Sequence, residues 1–249
     1  MKEKYKAKSE RSLKLRFHTQ TAGFSLTAQQ PEINIARTAF QGLAAVLGGT
    51  QSLHTNSMDE TLALPSEKAA QIALRTQQLI AYETGVANVV DPLGGSWYIE
   101  DLTDKIELEC EKYFKSIDEL GGVINCIETG FFQKEIADAS SVYQSEVENE
   151  NRYIVGINKF KDDDETIDIP ILEISKETQN SQINKLEKTK KNRDVKDVNQ
   201  KLNAITDACH CNDNLMPLII DAAKAKATLE EIVDSMKSVF GEWTESSII

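Results

Sequence analysis

The feature that most restricts the fold is an alternation in the first 120 residues, where a short strand-like segment is followed by an apolar-periodic helix, three times over. From Leu13 to Gln20, the residues Leu13, Leu15 and Phe17 alternate with Lys14, Arg16, His18 and Gln20, and this period of two predicts a strand with one polar face. Pro31 opens a helix carried by Ile35, Ala36, Ala39, Phe40, Leu43, Ala44 and Leu47, which Gly48-Gly49 stops. Thr50 to Thr55 predicts a second strand. Ser66 then caps a helix through Ala69, Ile72, Ala73, Thr76, Leu79 and Ile80 that ends at Gly85. Val86 to Val90 predicts a third strand, and after the loop DPLGGSWY an amphipathic helix runs from Leu102 to Leu120.

Such alternation implies parallel strands joined by helical crossovers, as in a (β/α) barrel or a doubly wound sheet. The chain's 249 residues match the ~250 of an eight-stranded barrel. The pattern nevertheless supplies only about three β/α units. Helices follow at Val123 to Glu128 and Gln133 to Asn149, with an extended segment at Tyr153 to Ile157. Beyond residue 160 come KDDDETIDIP, a charged stretch from Lys176 to Asn199 that reads as a solvated face or linker, and helical periods at Asn180–Lys191, Lys196–Cys209, Leu215–Lys224 and Leu229–Phe240. The fold class is therefore α/β over residues 1–160, followed by a helical region over 161–249.

Forty acidic side chains against 28 basic ones give a net charge of −12 with no basic stripe, which argues against nucleic acid and anionic membrane as partners. There is no run of 18 apolar residues, and the basic N-terminus lacks the apolar stretch of a signal peptide. Cys110, Cys126, Cys209 and Cys211 have no paired spacing, so free thiols and a cytoplasmic location are expected. The charged start at Met1 runs almost directly into a strand, as if the chain began in mid-domain.

In barrels the chemistry lies at the C-terminal ends of the strands. Here those positions offer Arg16, His18 and Gln20 on one face, then Gln51, His54, Asn56, Asp59 and Glu60, then the DPLGGSWY loop. Blander readings are open for several of them. His18 and His54 also suit ordinary core or loop histidines, Glu60 a local cap, and Gly94-Gly95 a tight turn. No GxGxxG, GxSxG or cysteine–histidine motif is present. Cys209-His210-Cys211 lacks the spacers of a zinc site, and no metal centre is expected. What emerges is a polar rim without a dominant ionisable catalyst, which suits a reaction whose hard step a cofactor performs.

The stretch RFHTQTAGFSLTAQQPEINIARTAFQGLAAVLGGTQSLHTNSMDETLALPSEKAAQIALRTQQLIAYETGV resembles the adenosylcobalamin-dependent acyl-CoA mutases, methylmalonyl-CoA mutases above all. DPLGGSWYIE, GGVINCIETGFFQKEIADA, IVGINKF and NLMPLIIDAAKAKATLEEIVDSMKSVFGEW continue the resemblance to about residue 243. It implies a (β/α)8 TIM barrel, of which this chain would hold the last β/α units. It also implies adenosylcobalamin (coenzyme B12) as cofactor and a radical carbon-skeleton isomerisation between methylmalonyl-CoA and succinyl-CoA.

By the same resemblance His18, Gln20 and Gln51 are the catalytic candidates beside substrate and corrin. Gly23 lets cobalamin approach closely, Glu60 hydrogen-bonds the adenosine ribose, and Ala63 is a small residue at the cofactor face. The family's residues that grip the acyl carboxylate and most of its CoA surface have no counterpart here, nor does its DxHxxG cobalamin motif. The implied partners are an acyl-CoA, a chain supplying the N-terminal barrel half and a separate cobalamin-binding domain or subunit, and the chain alone is expected to be inactive. The alternatives are an inactive or accessory mutase-like chain and a mutase for isobutyryl- or ethylmalonyl-CoA.

Overall fold

Two short parallel strands form the one sheet among the described residues, and helices account for most of the rest. The computed structural model describes residues 1–166, 169–211 and 213–245. In order the elements are α1 (Lys2–Tyr5), β1 (His18–Gln20), α2 (Ile33–Leu47), β2 (Ser52–His54), α3 (Glu67–Glu83), α4 (Trp97–Glu119), α5 (Val123–Glu128), α6 (Phe131–Glu148), α7 (Lys176–Lys191), α8 (Val195–Cys209), α9 (Leu215–Lys224) and α10 (Leu229–Phe240). The chain divides into two units, one reaching Leu172 and the other beginning at Glu173.

In the first unit β1 and β2 pair in parallel with His18 opposite Ser52, Thr19 opposite Leu53 and Gln20 opposite His54. Helix α2 is the crossover between them, the expected βαβ arrangement. Its buried stripe is Asn34, Thr38 and Gly42, spaced four apart, while Phe40 on the apolar side is 73% exposed. Small residues on that stripe allow close approach. A Cβ on Gly42 would stand 3.0 Å from Ile80 Cδ1 and 3.6 Å from Leu53 and Thr55. Helix α3 buries Ala69, Thr76 and Ile80, and the Ser66 hydroxyl caps it by accepting from the Ala69 N–H.

Three expectations are corrected. Of the segment Leu13–Gln20 only His18–Gln20 pairs. Upstream, Glu10–Leu13 closes a 3-10 turn capped by the Ser9 hydroxyl, and Leu15 is 80% exposed. Val86 to Val90 is not a strand, because left-handed Gly85 turns the chain into a 3-10 turn at Val86–Asn88, closed by Asn88 N–H donating to Gly85 O. Tyr153 to Ile157 is not extended either. The Asn158 side chain accepts from the Ile154 N–H and donates to the Val147 and Arg152 carbonyls, folding the segment into a compact turn around Gly156.

In the second unit α8, α9 and α10 enclose Ile205, Cys209, Ala222 and Ile232, with Leu202, Leu218 and Met236 packed around them. Each helix carries its own N-cap: Asp194, Asn214, and a capping box between Thr228 and Glu231. The Arg193 guanidinium forks onto both carboxylate oxygens of Glu231 and also donates to Lys226 O. That fork holds the Glu231 carboxyl at about 2, well below its ordinary value. Helix α7 buries none of its residues. Cys209 belongs to the bundle core while Cys211 is exposed, so their side chains have different surroundings.

Candidate functional site

Parallel pairing brings the C-terminal ends of β1 and β2 to one edge, and the loops that leave them meet there. The Thr21 N–H donates to His54 O, and the Asn56 N–H donates back to the Thr21 hydroxyl, so the two chain exits are tied together. Gln20 Nε2 reaches Asn56 Oδ1 at 3.3 Å. Gly23 lies just beyond, where a Cβ would come within 2.8 Å of Asn56 Nδ2 and 3.6 Å of Glu60 Oε1. Its φ is not positive, so the need for glycine is one of space. This packing unites Gln20, Gly23, Asn56 and Glu60 in one patch.

Glu60 is exposed, and its loop is tightly held from beneath. Asp59 is fully buried. Its carboxylate accepts from the Ser66 N–H at 2.9 Å, and its backbone carbonyl accepts from Leu62 and Ala63. Ala63 is half-buried in that turn, two residues before Pro65. Three further buried atoms of the loop, Asn56 Nδ2, Ser57 Oγ and Asp59 Oδ1, have no hydrogen-bond partner. Beside them His54, Ser57 and Glu60 line a cleft of about 220 Å³ closed by Pro65, Ala73 and Gln77.

The remaining candidates sit lower on the strands. His18 is exposed, and its Nδ1 shares a 2.6 Å hydrogen bond with the Ser52 hydroxyl, which leaves Nε2 as the ring atom open to a ligand. Gln51 precedes β2 and stands at the opposite end of the sheet from Glu60. Its amide is spent on the backbone, accepting from the Phe17 N–H at 2.8 Å and donating to Gly49 O at 2.7 Å. The fold therefore brings Gln20, Gly23, Glu60 and Ala63 to the C-terminal edge, places His18 two strand positions below Gln20, and sets Gln51 apart.

Sequence reasoning passed over Asn34, Arg37 and Gln41, the side chains that hold this edge in shape. Gln41 Oε1 accepts from the Ala22 N–H at 2.6 Å, and its Nε2 donates to the Ser25 hydroxyl, which fixes the turn around Gly23. The available signal was the polar spacing on α2, where Asn34, Thr38 and Gln41 recur on turns that also carry apolar residues.

The family model described as methylmalonyl-CoA mutase matches residues 1–242, nearly the whole chain. The chain belongs to the methylmalonyl-CoA mutase family. Among relatives, the methylmalonyl-CoA mutase of Escherichia coli (strain K12) is 44% identical over 238 residues, covering 95% of this chain and 33% of the relative. The 2-hydroxyisobutanoyl-CoA mutase large subunit of Aquincola tertiaricarbonis is 41% identical over 249 residues, or 100% of this chain and 44% of that protein. The human mitochondrial methylmalonyl-CoA mutase is 41% identical over 240 residues, or 96% of this chain and 32% of the relative. This mutase-family chain thus spans 32% to 44% of the length of these relatives. Within its described residues no helix is long and apolar enough to cross a membrane.

Proposed function

We propose that this chain forms one face of an adenosylcobalamin-dependent acyl-CoA mutase, an isomerase that interconverts methylmalonyl-CoA and succinyl-CoA. The reading is carried by the packing of Gly23 against Asn56 and Glu60 at the C-terminal edge of a parallel β-pair, in a chain that matches the family throughout.

The residues present fit the cofactor. Glu60 offers an exposed carboxylate that, when ionised, only accepts, which suits the paired hydroxyl donors of a ribose. Asn56 Nδ2 lies beside Gly23 as a buried donor without a partner. The missing side chain at Gly23 keeps the approach to both groups low, although Asn56 already requires that glycine for its own packing. Glu60 and Gly23 would hold the adenosyl side of the group, with Ala63 at its margin. When bound, adenosylcobalamin supplies the radical chemistry of the rearrangement. His18, aimed by Ser52, and Gln20, held by Asn56, would position the substrate by hydrogen bonds without moving a proton. Gln51 acts here as a brace for the entry to both strands.

The strands belong, in this reading, to a (β/α)8 barrel, with residues 1–160 as barrel and 161–249 as a helical extension. A groove of about 370 Å³ beside β2, lined by Val46, Leu53, Leu74, Ile80 and Tyr82, supports a seat for a further strand. The remaining barrel units and the cobalamin-binding domain would then be partners in the assembly, as would the acyl-CoA. Cysteine usage supports a cytoplasmic setting, since the four thiols are free. A second reading takes a different acyl-CoA, and the relative named as a 2-hydroxyisobutanoyl-CoA mutase large subunit favours it.

The test is co-production with an N-terminal mutase half and a cobalamin-binding subunit, followed by an isomerisation assay with a panel of acyl-CoA thioesters. Turnover is expected, and Glu60→Gln should weaken the apparent affinity for adenosylcobalamin while the assembly forms as before. A complex that forms and turns over no acyl-CoA would overturn the proposal.

A further inference from the structure

The site loops are fastened from outside by a segment more than a hundred residues away in sequence. Asn34, at the start of α2, is fully buried. Its Nδ2 donates to Thr27 O at 2.8 Å and to Met58 O at 3.0 Å, and its Oδ1 accepts from the Thr27 N–H. One amide thus joins the loop that carries Gly23 to the loop that carries Glu60. The rotamer of that amide is in turn set by Arg37, one helical turn on.

Arg37 Nη1 donates at 2.8 Å to both Asn34 Oδ1 and the Thr27 hydroxyl, while its Nη2 donates at 2.7 Å to Val155 O. All three acceptors are neutral. A fixed fork of donors is what lets one side chain bridge them, and a lysine cannot reproduce it. The Val155 turn is seated on the same loop by two other contacts. Gln30 Nε2 donates to Phe160 O, and the Gln30 N–H donates to the Glu165 carboxylate. Gly156, buried at φ +84°, lies where a Cβ would press on the Gln30 side chain at 3.3 Å.

We propose that Arg37 is a positioning residue for the Glu60 site, and that through Asn34 it makes the geometry of the Gly23 and Glu60 loops depend on the docked strap formed by residues 153–165. This deepens the cofactor reading above and names the device that holds that site's two loops together. When the strap is seated, Arg37 is pinned at both ends and Asn34 keeps its donors on Thr27 and Met58. Lifting the strap removes the Val155 and Glu165 contacts and releases the fork, so the Asn34 amide gains an alternative rotamer and the Met58 tether slackens. The strap follows α6 directly in sequence, so events along α6 would reach Glu60 by this route.

The experiment is hydrogen–deuterium exchange on the full chain, comparing wild type with Arg37→Lys, Arg37→Ala and the milder Glu165→Ala. For Arg37→Ala, exchange over residues 56–63 is expected to rise about tenfold, the factor for one lost charge-assisted hydrogen bond, while the α3 interior stays protected. Arg37→Lys should show most of that rise, and Glu165→Ala a smaller rise in the same peptides. A merely structural Arg37 would loosen residues 153–160 and leave 56–63 unchanged, and that pattern would overturn the proposal. So would an unchanged 56–63 in Glu165→Ala when 153–165 has loosened. If Arg37→Ala does not fold, the Glu165→Ala comparison decides alone. None of these readings needs the cofactor, so failure of wild-type cobalamin binding in the assembled enzyme would count against the function without touching this coupling.

Discussion

The interior of the second unit is apolar, whereas that of the first, beneath the candidate site, is rich in polar side chains. The bundle of α8, α9 and α10 closes on Ile205, Cys209, Ala222 and Ile232, whose exclusion from water is non-directional and scales with area. Beneath the candidate site the buried layer is mainly polar, with Thr21, Asn34, Thr38, Thr55, Asn56, Ser57 and Asp59 set among the apolar Leu26, Met58, Ala69 and Ile80. There, stability comes from hydrogen bonds that hold only in one geometry, and each missing partner leaves a desolvated group. An apolar core tolerates adjustment of shape. The polar layer defines where its loops lie, which is what a site needs.

The sharpest way to break this contrast is to substitute at the centre of each interior. In the bundle Ile205→Ala should cost about 3–4 kcal/mol through lost burial and the cavity left behind, and Ile205→Val about 1 kcal/mol, both read by urea denaturation. The penalty there should track volume. In the polar layer Asn34→Ala should cost about 2 kcal/mol, because the Thr27 and Met58 carbonyls lose their donor. The near-isosteric Asn34→Asp should restore little of that, since it keeps the shape but not the N–H groups. If Asn34→Asp matches wild type, volume governs both regions and the contrast fails.

An intermediate effect is expected on acidification. Glu231 titrates at about 2 when folded, below its ordinary 4.5, because Arg193 and Thr228 favour the charged carboxylate. Its contribution is therefore fully present above pH 4.5 and is lost as the pH falls from 4.5 toward 2. With the carboxylate a quarter exposed, about 2 kcal/mol is expected after screening. Chemical denaturation across that window should show the bundle weakening in wild type, and Glu231→Gln should flatten the dependence on this group. The smallest effect is expected at the rim. His18→Ala removes an exposed side chain bonded to Ser52, so stability should change by less than about 0.5 kcal/mol, while turnover in the assembled enzyme falls.

Much of the architecture was legible because local rules decide it. The helices at Val123–Glu128, Leu215–Lys224 and Leu229–Phe240 have the bounds that periodicity and caps predict, and Ser66 caps α3 as its hydroxyl requires. The apolar run Val86–Val90 misled, because a strand exists only where another backbone pairs with it, and Gly85 bends this one into a turn. The face of α2 misled as well. Its apolar residues suggested the buried side, whereas the residues it buries are Asn34, Thr38 and Gly42. Small and polar residues were selected there by close approach and by the need to satisfy two loops at once. Neither requirement leaves a hydrophobic period to read.

For the candidate site, the family resemblance nominated Gln20, Gly23 and Glu60, and the fold explains their proximity through a single parallel register. Their supports were not recognisable. Arg37 and Val155 are 118 residues apart, and nothing in either local segment announces the other. The sequence by itself determined the helices, their caps, the βαβ order and the membership of a mutase family, since these follow from short-range chemistry and motif identity. Only the tertiary structure decided which face of α2 is buried, where Gln51 spends its amide and how a distant strap reaches the Glu60 loop. Those outcomes depend on which groups are left to satisfy one another once the chain has closed and water has gone.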